Sequence, residues 1–76
     1  MKMFTVLNVT CNYVGAIAAT EAKALRWIVD FLEEYEYVLD EMDRIAMDAP
    51  LIVRAHEEEN PKKKIEFYIS ETEVVP

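Results

Sequence analysis

The chain holds little with which to do covalent or metal chemistry. Its one cysteine, Cys11, excludes an internal disulfide and has neither a CxxC partner nor a histidine beside it, so it reads as a small core or edge residue. Its one histidine, His56, heads the run HEEE, which lacks the i, i+4 histidine pair of HExxH, and residues 56–59 therefore read as a solvated hairpin tip. One glycine and three prolines among 76 residues argue for an ordered chain rather than a flexible tail. No apolar run approaches the roughly 20 residues of a membrane span, and Thr5, Asn8, Thr10 and Asn12 break the stretch in which a secretory peptide would have to be apolar. The expected location is a reducing cytoplasm, the host's if the chain is viral. No catalytic or cofactor motif occurs. Paired carboxylates are present, but nothing in the sequence indicates a pocket that would separate their pKa values, so neither an enzyme, a cofactor nor a bound metal is expected.

Bases are also scarce. Eight lysines and arginines face fifteen acids, a net charge of −7 that argues against direct contact with nucleic acid or an anionic membrane. Residues 30–48 hold eight of the acids and one base, Arg44, so the whole net charge lies in nineteen residues. Lys62, Lys63 and Lys64 are the one basic run. The glutamates of the same hairpin can neutralise it, and lysines commonly protect strand edges from aggregation.

What is plentiful is apolar surface, 53% of the residues, enough for one small domain over residues 1–76 without disulfides. Residues 3–10, MFTVLNVT, read as a strand. Residues 11–19 admit three readings: a second strand bent at Gly15, a loop, or an early helical turn. A helix starting at Tyr13 would set Glu21 on its apolar face, whereas Thr20 as N-cap makes Glu21 the first helical residue, where the dipole favours a carboxylate. From there Leu25, Ile28, Leu32, Tyr35, Leu39, Met42 and Ala46 keep a 3-4 spacing, with Phe31, Val38 and Ile45 beside them. That spacing predicts one long helix ending near Asp48, before Pro50. The remainder reads as a hairpin of residues 51–55 and 65–70. A three-residue loop at 59–61 keeps one face apolar: Leu51 opposite Ile69, Val53 opposite Phe67, Ala55 opposite Ile65, and Arg54 opposite Glu66. The same register sets Glu57 opposite Lys63 and Glu58 opposite Lys62. The expected fold is α+β, a small antiparallel sheet in the order β-α-β-β, covered on one face by one long amphipathic helix. Ile52 and Tyr68 point away from that helix, together with one of the sets Phe4/Val6 or Met3/Leu7/Val9, a face able to support a homodimer.

On the long helix the acids form two ridges, Asp30, Glu34, Glu41 and Asp48 in one and Glu33, Glu36, Asp40 and Asp43 in the other. Tyr37 lies between them and Trp27 at the border of the apolar face. An exposed helix ordinarily interleaves its acids with bases, because like-charge i, i+4 pairs cost a few tenths of a kcal/mol each. Two unrelieved ridges point to a cationic partner, met by Asp30, Glu33, Glu34, Tyr37, Asp40, Glu41 and Asp48.

In size, concentrated acid, small α+β frame and absence of a catalytic motif, the chain resembles the small acidic inhibitors with which bacteriophages occupy host DNA-binding proteins. The resemblance implies a DNA mimic that competes with DNA for a basic protein: an HU-like nucleoid protein, a restriction or defence nuclease, or RNA polymerase. The alternative is an interaction protein, such as an accessory subunit or antitoxin, that docks through an apolar helix or sheet face.

Overall fold

The computed structural model describes residues 1–73. It is an α+β domain of five strands and one helix: β1 (Lys2–Asn8), β2 (Tyr13–Ala18), α1 (Glu21–Glu34), β3 (Tyr37–Asp43), β4 (Leu51–Glu57) and β5 (Lys64–Glu73). All neighbouring strands are antiparallel, in the spatial order β2-β1-β5-β4-β3. The order along the chain is therefore β-β-α-β-β-β, not β-α-β-β. The helix joins the two edge strands by crossing one face of the sheet.

Residues 11–19 resolve in favour of the bent strand. The register of β1 and β2 slips between Val6, paired with Ala16, and Leu7, paired with Val14, which leaves Gly15 as the bulged residue. The turn before β2 is closed by Asn8, almost wholly buried, whose Oδ1 accepts the Cys11 N–H at 3.0 Å, and by Asn12 in the left-handed region at φ 56°. Cys11 is exposed in this turn rather than in the core or on a strand.

The helix begins as its sequence dictates. Thr20 is extended, its hydroxyl accepts the Lys23 N–H at 3.1 Å, and Glu21 opens the first turn. The long helix, however, stops at Glu34 after 14 residues. Tyr35 caps it and Glu36 turns the chain through the left-handed region at φ 57°, a place usually filled by glycine or asparagine. Residues 37–43 are strand. Leu39 pairs with Ala55 and Met42 with Val53, so both face the helix although they stand three apart, because Asp40 is an extra residue in a bulge. A strand advancing by two with one inserted residue reproduces a helical i, i+3 spacing, and this is why the apolar rows appear to run on.

The core lies between α1 and the sheet. Ala24, Ile28 and Leu32 meet Val6, Val53, Ala55, Ile65, Phe67 and Ile69, with Phe4, Leu25, Trp27, Phe31 and Tyr37 packed around them. Tyr35, Val38, Leu39 and Met42, expected in the core rows, are partly exposed. Ile45 is 82% exposed in the segment that follows β3. The hairpin keeps the expected register, including Arg54 opposite Glu66, and Glu57 donates its N–H to the Lys63 carbonyl at 2.9 Å. On the helix-free face Leu7 and Ile52 flank Tyr68, and Thr5 lies beside Ser70, so Phe4 and Val6 are the set turned inward. No helix is long and apolar enough to cross a membrane among the described residues.

Candidate functional site

The fold redistributes the acids. The two ridges do not exist as such, because a helix that ends at Glu34 cannot align its acids with those of a strand. Asp30, Glu33 and Glu34 stand on α1, Asp40, Glu41 and Asp43 on β3, and Asp48 in the segment that leads to β4. The helix runs antiparallel to β3: an ion pair ties Glu21 of its first turn to Arg44 beyond the end of β3, whereas its last turn meets the start. Asp48 therefore lies at the far end of the domain from Glu34.

Several acids also find basic side chains, those of β3 on the neighbouring β4 and Asp30 on its own helix. Arg54 donates from Nη1 to Glu41 at 2.7 Å and from Nε to Glu66 at 3.0 Å, and these two carboxylates hold its guanidinium above its ordinary pKa. Asp40, thrown across the sheet by its bulge, meets His56 Nδ1 at 2.6 Å. Asp30 pairs with Arg26 one turn back at 3.2 Å. Lys63 reaches Glu57 at 3.3 Å, which keeps the ammonium protonated above its usual range and breaks up the HEEE run as a ligand set. No group of three potential metal ligands occurs among the described residues. Tyr37, expected between the ridges, faces the helix instead. It is half-buried beside Phe31, with ring centroids 6.2 Å apart.

Of the acids without an ion-pair partner among the described residues, Asp43 and Asp48 lie toward the Arg44 end, and four others gather at the opposite end. Glu33 and Glu34 occupy the last turn of α1, which contains no base, and Glu36 follows in the turn. The Glu36 N–H donates to the Glu33 carbonyl at 3.4 Å, and the Glu58 N–H, just past β4, donates to the Glu36 carbonyl at 2.9 Å. Backbone hydrogen bonds thus bind three exposed acids together, with Glu34 beside them. None of the four carboxylates has an ion-pair partner among the described residues. The negative end of the helix dipole opens at the same place. Carboxylates there oppose the dipole by about 0.3–1 kcal/mol each, where lysine or arginine would be favoured.

This acidic pole adjoins a groove of ≈ 300 Å³ lined by Tyr13, Trp27, Asp30, Phe31, Glu34 and Tyr35. Two further hollows lie elsewhere on the described residues. One, apolar and ≈ 190 Å³, lies between α1 and β3 beneath Leu39 and Met42. The other, of ≈ 670 Å³, lies around Arg54, His56 and Lys64. In the first of these, Glu33 sits on the rim.

Of the residues expected to meet a partner, the structure brings together Asp30, Glu33 and Glu34. It ties Asp40 and Glu41 to bases, turns Tyr37 inward and separates Asp48. Glu36 was visible in the sequence as part of an acidic ridge but not as the turn residue of a pole. In the sequence Glu58 is only a lysine's neighbour in the hairpin; a backbone hydrogen bond in the fold sets it against Glu36. No protein-family model, no curated protein and no solved structure matches the chain.

Proposed function

We propose that the protein is an acidic, nucleic-acid-mimicking inhibitor that binds a basic DNA-binding protein and competes with DNA for it. The observation that carries this reading is the acidic pole. Glu33, Glu34, Glu36 and Glu58 crowd around a helix C-terminus with no ion-pair partner among the described residues, although other acids of the chain are paired. Like-charge neighbours and the helix dipole each cost the folded chain some tenths of a kcal/mol. A cationic surface laid against the pole relieves all of them at once, as the phosphates of DNA relieve one another's repulsion by binding basic proteins. The partner surface comprises Glu33, Glu34, Glu36, Glu58 and Asp30. Asp40, Glu41 and Asp48 add to the long-range field that steers association. The protein acts by occupancy, without catalysis, in the cytoplasm that holds its target.

Affinity capture from a host lysate at low and high salt tests this reading, with Glu33→Lys/Glu36→Lys beside the wild type. The reading predicts basic DNA-binding proteins held at low salt, released at high salt, and absent with the variant. Capture of non-basic proteins, or equal capture by the variant, contradicts it.

A second reading has its own observation. On β2, Val14 and Ile17 are 54% and 62% exposed, beside Leu7 and Thr5 on the helix-free face. An interaction protein docking through that apolar face would hold its partner almost indifferently to salt, which separates it from the first.

A further inference from the structure

We infer that the groove between Trp27, Tyr35 and Tyr13 is a seat for an arginine side chain of the basic partner, an inference that rests on the reading above. Trp27 and Phe31 on α1 and Tyr35 at its C-cap recur every four residues and form a continuous ring row, with centroids 5.6 Å apart for the stacked first pair and 4.6 Å for the second. Asp30 and Glu34, each one residue earlier than a ring, set a parallel row of carboxylates along it, and Tyr13 of β2 completes the lining. Phe31 also serves the core, since its ring meets Phe67 edge-on at 5.3 Å. Tyr35 and Tyr13 do not: they are 55% and 45% exposed, large aromatic surfaces left facing solvent beside acids.

The seat is built rather than incidental. Gly15, the chain's only glycine, has no positive φ to justify it; a Cβ there would stand 2.6 Å from Cη2 of Trp27, the chain's only tryptophan. The bulge and the missing side chain let the indole lie against the backbone of β2, and this holds the row in place.

Charge complementarity selects the occupant. Ring faces attract cations, and so do the two carboxylates. A guanidinium does better than an ammonium in such a place, because it is planar, weakly hydrated, stacks on aromatic rings and offers a carboxylate two parallel N–H donors. The rim already shows the contact in miniature, where Arg26 Nε meets Asp30. Glu34, one turn further on and merging with the acidic pole, has no cation of its own among the described residues.

The probe is acetyl-tetra-arginine-amide titrated into the full chain, followed by Trp27 fluorescence and by the backbone and indole N–H resonances. The inference predicts saturable shifts at Trp27 and Tyr35. It predicts roughly 3-fold or greater weakening with the tetra-lysine peptide and on the order of 10-fold weakening in Glu34→Gln or Tyr35→Ala, both at exposed positions. Arg26→Ala, which removes the internal competitor for Asp30, should bind the probe at least as tightly. Shifts confined to the amides of Glu33, Glu36 and Glu58 with Trp27 unmoved would overturn the arginine seat and leave the acidic pole standing. Equal binding of tetra-lysine would overturn the choice of arginine. A probe that moves neither groove nor pole contradicts both readings.

Discussion

Gly15 and Trp27 fit only because one of them has no side chain: a Cβ on Gly15 would come within 2.6 Å of the indole Cη2 and 3.0 Å of Cζ3. The ring cannot simply retreat, being stacked on Phe31 at 5.6 Å and edge-on to Phe67 at 6.1 Å. Gly15→Ala should therefore cost about 1–3 kcal/mol through overpacking. Chemical denaturation followed by Trp27 emission measures the loss. An unchanged midpoint would show that the indole has room to move.

Glu36 holds a left-handed backbone without being glycine or asparagine. The conformation costs roughly 1–2 kcal/mol for a residue with a Cβ, against about 0.5–1 kcal/mol of extra chain entropy for glycine. The carboxylate also sits at the negative end of α1. Glu36→Gly is expected to stabilise the fold by about 0.5–1 kcal/mol, and Glu36→Ala by less, since alanine relieves the charge but not the backbone. Thermal melts of the two variants at low salt compare these contributions, and an alanine variant as stable as the glycine one would remove the backbone argument.

Asn8 is the one buried polar side chain among the described residues, and its Oδ1 accepts the Cys11 N–H that closes the first turn. Asn8→Ala leaves that donor unsatisfied and should cost about 1–3 kcal/mol. Faster hydrogen exchange at the Cys11 amide, ahead of the rest of β1 and β2, would accompany the loss.

Stability should fall on the alkaline side. Hydrogen bonds and nearby charge from Glu71, Glu57 and Glu66 raise the pKa values of Lys2, Lys63 and Tyr68, respectively, above their ordinary values. All three are protonated in the favoured form: the ammoniums are charged, and the neutral phenol hydrogen-bonds to the Glu66 carboxylate. Their contributions are thus complete below the unfolded-state values of about 10 and disappear as pH climbs through the raised folded-state values. Denaturation midpoints measured from pH 8 upward should decline above about pH 10, and Tyr68→Phe should flatten part of that decline. A flat profile for the wild type would contradict these linkages.

How much of this was legible in the sequence depends on which interactions set each element. The hairpin register could be argued from the need to keep Val53, Ala55, Ile65 and Phe67 on one face, and the helix start from Thr20 and Glu21. Both are decided locally. The helix end was not legible, because Glu36 carries the left-handed turn without a glycine to mark it and the Asp40 bulge gives Leu39 and Met42 a helical spacing. The error carried into the site. The sequence sets Glu41 and Asp48 on one ridge with Glu34 and Asp40 on the other with Glu33, whereas the side chains that meet Asp40 and Glu41, His56 and Arg54, come from a neighbouring strand that only the sheet topology brings near. Glu33 and Glu34 survived because they lie before the break. The Trp27, Phe31 and Tyr35 row was present as an i, i+4 pattern, but Tyr13 and Gly15 join it only through the β1–β2 hairpin.

The most direct measurement is displacement of labelled DNA from the captured basic partner, by wild type and by Glu33→Lys/Glu34→Lys/Glu36→Lys, at about 50 and 200 mM salt. The account predicts that wild type releases the DNA at the lower salt, loses affinity steeply at the higher, and that the triple variant releases none. Wild type and DNA bound together on the partner, or equal displacement by the variant, would contradict it.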